Sequence, residues 1–332
     1  MSGAREERLL WVDIAKSLGI FLIVFSHVNQ TGFTEAFLWT FHVPLFFFIS
    51  GLLTKPQSDR ESLGRIAHKL ALPYVYIYVL TTLLTGAWHA DFDPGHLGRT
   101  LLGVVYGTHS YPDFVNAALW FLPSLITIEI LYALVIRRWP VGYVICLAVS
   151  VMLFRRHALD LFFSIDLSLL GLNYFLAGVL VRRFELDRAL ARSRIALLAT
   201  AIAGAAATSW AASVGNVWYA GEHYVLTLGA GLAGIAMIAG VSMLLASLLG
   251  DLPGVRAAFE RVSANTLFIF CFHVFSNPAA TALLAPLAPS PPFVAAVLIS
   301  IVSIALLMPL AVLVRRYVPE LVGLRRRMPA TA

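Results

Sequence analysis

Apolar and polar positions alternate along this chain in blocks rather than at short period. Runs of about 20 apolar residues, the length that crosses a ~30 Å hydrocarbon core, are separated by short polar segments. The pattern predicts ten spans, at 10–29, 36–54, 70–88, 117–136, 141–154, 161–181, 195–213, 224–248, 264–286 and 293–314. The fifth is short, and Pro278 is expected to break the ninth, because a proline inside a helix removes one backbone hydrogen bond. In hydrocarbon every backbone polar group must be satisfied internally, so the expected fold is all-α. It is a polytopic integral membrane protein of one domain over residues 1–332. The longest connection, 89–116, holds His89, Asp91, Asp93, His96, His109, Tyr111 and Asp113, and Leu97–Tyr106 within it predicts a short interfacial helix.

Composition agrees: 59% of the 332 residues are hydrophobic and 13% charged, about half the charge of a soluble domain. Twenty of the 24 Lys and Arg residues fall on one side of the ten spans, among them Arg5, Arg8, Arg137 and Arg138. Arg99, Arg155 and Arg156 fall on the other. By the positive-inside rule both termini are cytoplasmic. The net charge of +6 is therefore a topology signal, dispersed over six segments, and nucleic acid is not expected as a partner. Arg325, Arg326 and Arg327 predict a basic anchor attracted to anionic membrane lipid. The first span carries internal charges and lacks a small-residue cleavage site, so it reads as uncleaved. Cys146 and Cys271 lie in different spans and read as small hydrophobes.

Against this background the first span stands out, since it contains Asp13, Lys16 and His27. Each ionisable group within a bilayer costs a few kcal/mol or more. At 3.6 residues per turn Lys16 lies within about 20° of His27, and Asp13 within about 40°, so one polar stripe faces away from lipid. His27 reads either as a neutral histidine bonded between helices or as a general base or acyl acceptor. Asp13 is about 21 Å along the axis from His27, too far to orient that ring directly.

Other candidates follow the chain. The second span reads Phe41-His42-Val-Pro44-Leu-Phe-Phe-Phe-Ile-Ser50-Gly51, where Pro44 is expected to act as a mid-helix proline that frees a carbonyl. His42 begins its span on the side where His27 ends its own. Arg65 and Lys69, four apart, project from one helix face, either as ordinary inside charge or as a clamp for phosphates. Asn29, His42, Trp120, Glu129, Asn265 and His273 are candidate substrate-binding groups, and Asp166 and Asn173 are further polar groups facing the bundle interior. No ligand spacing supports a metal site at His27, His42 and His273. The segment Gly215–Tyr224, with Glu222, is a second candidate for acceptor contacts.

The run Trp11-Val-Asp13-Ile-Ala-Lys16-Ser-Leu-Gly19-Ile with His27 resembles the opening motif of the membrane-bound acyltransferase 3 family. Phe41–Gly51 resembles its second-span motif, while Leu119–Pro123 and Ser263–His273 are similar to its later signatures. The fucose 4-O-acetylase-like branch fits best. The resemblance implies a ten-helix enzyme of the bacterial cytoplasmic membrane. It would take an acetyl group from cytoplasmic acetyl-CoA, as co-substrate and without a metal. The acceptor would be a hydroxyl of a surface carbohydrate or lipid-linked glycan. The essential histidine maps to His27, and the acidic residue and lysine of the first motif to Asp13 and Lys16. The family's common Arg-x-x-Arg reads here Arg65-Ile-Ala-His68, with Lys69 next. A polytopic transporter is the competing class, since buried His, Asp and Glu also serve proton-coupled flux.

Overall fold

The computed structural model describes residues 9–28, 32–55, 57–89, 93–108, 110–154, 161–215, 223–287 and 292–325. The expectations at Arg5, Arg8, Asn29, Asp91, His109, Arg155, Arg156, Glu222, Arg326 and Arg327 lie outside those residues. Every regular element described is helical. Helix α1 (Leu10–Ser26) leads to α2 (Gly32–Trp39) and α3 (His42–Leu52), which turn into one another at Thr40-Phe41. Next, α4 (Asp59–Ile66) passes through a π-helical turn, Ala67–Ala71, into α5 (Leu72–His89), and α6 (Pro94–Tyr106) follows. A 3₁₀ turn, Ala117–Trp120, opens α7 (Phe121–Leu131), which ends in a second π-helical turn, Tyr132–Ile136. The chain continues through α8 (Pro140–Phe154), α9 (Ile165–Arg183), α10 (Leu186–Leu190), α11 (Arg194–Ser213) and α12 (Tyr224–Leu249). It closes with α13 (Pro253–Ala264), α14 (Thr266–Leu284) and α15 (Pro292–Tyr317).

Eight of the described helical stretches are long and apolar enough to cross a membrane, and α8, at 15 residues, is a shorter apolar one. Helix α1 has 17 residues, about 26 Å at 1.5 Å per residue. The protein is thus an all-α polytopic membrane protein.

Two prolines behave differently from expectation. Pro278 lies inside α14 without ending it; neighbouring helices and side chains in a bundle can meet the freed backbone groups. Pro44 is not mid-helix. The chain breaks at Phe41 (φ −139°) and restarts at His42, which places Pro44 in the first turn of α3, where a missing N–H costs nothing. The third span also begins earlier than hydropathy indicates. A capping box starts α4: the Ser58 hydroxyl accepts from the Glu61 N–H (3.3 Å), and the Glu61 carboxylate accepts from the Ser58 N–H (2.9 Å).

Helix α6 is the short helix expected in the long connection. Asp93 caps it by accepting from the His96 N–H at 2.8 Å, and Gly107, at φ 60°, ends it. The Tyr74 and Tyr78 hydroxyls of α5 donate to the Val104 and Thr100 carbonyls, both at 2.8 Å, and dock it.

Helix α1 is central, packed against α3, α12, α13, α14 and α15. Helices α3 and α9 meet backbone to backbone. A Cβ added at Gly51 would lie 1.9 Å from the Phe175 carbonyl oxygen, and one at Gly178 2.0 Å from that of Phe48. Small residues permit such approach between membrane helices. Val144 and Ile145 on α8, and Ile195 and Ile202 on α11, are exposed and face the lipid side.

Candidate active site

Three imidazoles gather at the C-terminal end of α1. His27 caps that helix, His42 opens α3, and His273 projects from the middle of α14. Each ring is pinned through Nδ1 to a backbone carbonyl three or four residues earlier: His27 to Ile23 (2.8 Å), His42 to Leu38 at the end of α2 (2.5 Å), His273 to Phe270 (2.7 Å). A carbonyl only accepts, so Nδ1 carries the proton and donates, and in the neutral ring Nε2 keeps its lone pair. The His27 and His273 rings meet edge-on with centroids 4.7 Å apart. Trp39, which ends α2, lies 5.5 Å from His27 and 4.8 Å from His42. All three imidazoles are within electrostatic reach of one another.

The hydrogen bonding of this cluster is incomplete. His42 and His273 are fully buried, and among the described residues the Nε2 of each has no hydrogen-bond partner. A buried acceptor left unmet costs about 1–3 kcal/mol, so each such atom is open to a donor from water or a ligand. His27 is only half-buried, which leaves it the reachable base of the three. Below it, the Ser303 hydroxyl donates to the Asn277 side-chain oxygen (2.7 Å) and shares a 2.6 Å bond with Ser276. The Asn277 amide donates to the Val24 carbonyl (3.4 Å). This network ties α14 and α15 to α1 one turn before His27 and holds the cluster in register.

Asp13 and Lys16 sit at the other end of α1, where they engage the corner between α13 and α14. The Ser263 hydroxyl donates to Asp13 (2.5 Å), and the Lys16 ammonium donates to the Ser263 carbonyl (2.8 Å). Ser17 adds a bond to the Phe259 carbonyl at 3.1 Å. A cation at the last carbonyls of α13 also complements that helix's dipole. Asn265 belongs to the same corner, its amide donating to the Arg261 carbonyl at 2.8 Å. The structure does not bring these three residues to His27.

Arg65 and Glu129 form a further centre at the arginine-rich end of the bundle. Glu129, on α7, is 4% exposed; its carboxylate lies 2.8 Å from Arg65 Nη1 and accepts from the Ser50 hydroxyl at 3.0 Å. Arg65 also donates to the Gln57 side chain at 3.3 Å, and Lys69 lies within electrostatic reach of Glu129. Nearby, Arg137 and Arg138 both pair with Asp59. Glu129 was expected with the acceptor-binding groups; it stands with Arg65 instead.

Trp120 ends the 3₁₀ turn before α7 and packs edge-on against Phe121. Asn173 lies in a satisfied network, accepting from the Tyr143 hydroxyl (2.9 Å) and bonded to Tyr224 (2.9 Å). Asp166 lies in the first turn of α9. Among the described residues no group of three or more His, Cys, Asp or Glu is arranged to hold a metal ion. Sequence reasoning missed Trp39 and Ser263. Trp39 precedes His42 by three residues, across the break at Thr40-Phe41; Ser263 opens the motif that ends in His273.

No curated protein and no solved structure matches the chain. The acyltransferase-domain model of the acyltransferase 3 family matches residues 9–312, from the start of α1 to the last turns of α15. Nearly the whole membrane bundle is thereby accounted for, and the chain belongs to the acyltransferase 3 family.

Proposed function

We propose that this protein moves an acetyl group from acetyl-CoA to a hydroxyl of a carbohydrate or lipid-linked glycan in the cell envelope. The observation that carries this reading is the imidazole cluster, whose buried lone pairs on His42 and His273 call for hydroxyl donors beside the accessible base His27. Motif similarity to the fucose 4-O-acetylase-like branch favours a sugar as the source of those hydroxyls.

In the proposed reaction the acceptor hydroxyl oxygen attacks the thioester carbonyl carbon while His27 Nε2 takes the hydroxyl proton. The tetrahedral intermediate collapses with cleavage of the carbon–sulfur bond, and the departing thiolate receives that proton. His42 and His273 accept hydrogen bonds from the acceptor and orient it. Arg65 holds the phosphates of the donor at the cytoplasmic face, since guanidinium suits bidentate phosphate recognition. Asp13 and Lys16 act at a distance, by fixing the corner from which α14 carries His273 inward. Apolar helices and the basic end together suit an enzyme of the bacterial cytoplasmic membrane.

Purified protein in liposomes, supplied with labelled acetyl-CoA and a glycan extract, tests the proposal. An acetyltransferase releases free CoA and adds one acetyl mass to one glycan component, and His27→Ala removes both signals. Thioester left intact while glycan crosses the bilayer would instead establish the transporter.

A further inference from the structure

The buried Arg65–Glu129 pair sits between the only two π-helical turns among the described residues. Ala67–Ala71 begins two residues after Arg65, and Tyr132–Ile136 three residues after Glu129. The segments pack against each other, and π-turns inside α-helices are frequent at functional sites. Arg65, at 27% exposure, reaches the open side, whereas Glu129 is enclosed at 4%. Lys69 is the second cation within reach of the carboxylate. Its backbone is held from behind: a Cβ on Gly323, which follows the 3₁₀ turn Pro319–Val322, would lie 2.8 Å from the Lys69 carbonyl oxygen. Ser50 supplies a neutral bond to the same carboxylate at 3.0 Å.

From this arrangement we infer that Glu129 is a resident stand-in for a phosphate, occupying Arg65 while the donor site is empty and yielding it when a phosphorylated ligand arrives. The inference rests on the reading of Arg65 as a donor-phosphate ligand and adds a regulation of that site. A buried carboxylate does not lose its only cation without a large penalty. Here the Ser50 hydroxyl stays bonded to Glu129 and Lys69 stays within its electrostatic reach when Arg65 turns to the phosphate, so the exchange leaves no isolated charge. Glu129 acts through Arg65 and is a positioning residue. Its effect is to lower affinity for anions that engage Arg65 alone, and so to favour polyphosphorylated donors over inorganic phosphate or nucleoside monophosphates.

Adenosine 3′,5′-bisphosphate, which carries phosphates but no acyl group, is the probe. Its binding to purified native, Glu129→Gln, Glu129→Asp and Arg65→Ala proteins is measured by calorimetry, alongside donor KM and kcat. Removing the competing carboxylate in E129Q is expected to tighten probe binding about tenfold, with the change in turnover falling on donor KM. E129D, which withdraws the carboxylate by one methylene, tightens binding by an intermediate factor. Equal or weaker binding by a folded E129Q overturns the inference. If E129Q does not fold, E129D decides in the same way. Should R65A bind the probe as tightly as the native protein, the donor-site reading itself has failed, and that result is distinct from failure of the exchange.

Discussion

At the two ends of α1, ionisable side chains inside one apolar helix meet opposite fates. Around Asp13 and Lys16 the groups close on the protein, through both the hydroxyl and the carbonyl of Ser263. Around His27 a nearby backbone carbonyl takes one ring nitrogen of each histidine, while among the described residues the Nε2 atoms of His42 and His273 are buried and unmet. Inside a membrane, a polar group that finds a protein partner binds helices together. One left open next to an accessible base is free to bind water or a ligand.

That contrast breaks most sharply at His27. Replacement by alanine is expected to lower kcat by about 10²–10⁴, the usual worth of a general base, with the melting temperature in detergent retained. A variant that turns over within tenfold of native would remove His27 from the chemistry. His273→Phe and His42→Phe probe the unmet lone pairs. Each should cost about tenfold to a hundredfold in kcat/KM for the acceptor while leaving donor KM in place. Stability should hold or rise, because an apolar ring replaces an unsatisfied acceptor. A lower melting temperature with unaltered acceptor kinetics would make these histidines structural. Arg65→Ala should raise donor KM about tenfold, through loss of a charge-assisted contact; an unchanged KM would place the donor elsewhere. At the opposite end, Asp13→Ala should lower stability by about 1–3 kcal/mol, read as an earlier melt, with turnover per folded molecule changed least of all. Intact melting with lost turnover would move Asp13 into the reaction.

The all-α membrane architecture and the short helix at Pro94–Tyr106 were legible in the residues, because hydropathy and helical period act within one element. Partners on other helices were not. The polar stripe on α1 shows which face avoids lipid, yet nothing in residues 10–26 announces that Ser263 comes to meet Asp13. Glu129 was similarly marked as a buried acid, but its pairing with Arg65 depends on α4 and α7 crossing at that height. The π-turns escaped notice because one extra residue per turn leaves an apolar run looking the same. Pro44 misled for a local reason: the break at Thr40-Phe41 has no glycine or proline to signal it, so the helix restart at His42 reads as continuous.

Because α3 lies backbone-to-backbone on α9 at Gly51 and Gly178, it behaves as a fixed calliper. One jaw carries His42; the other carries Ser50, some 12 Å along the axis and bonded to the carboxylate that holds Arg65. A molecule anchored by phosphate at one jaw and reacting at the other must have a tether of matching reach. Acyl carriers would then be sorted by the length of the arm between anchor and thioester, before the identity of the acyl group comes into play.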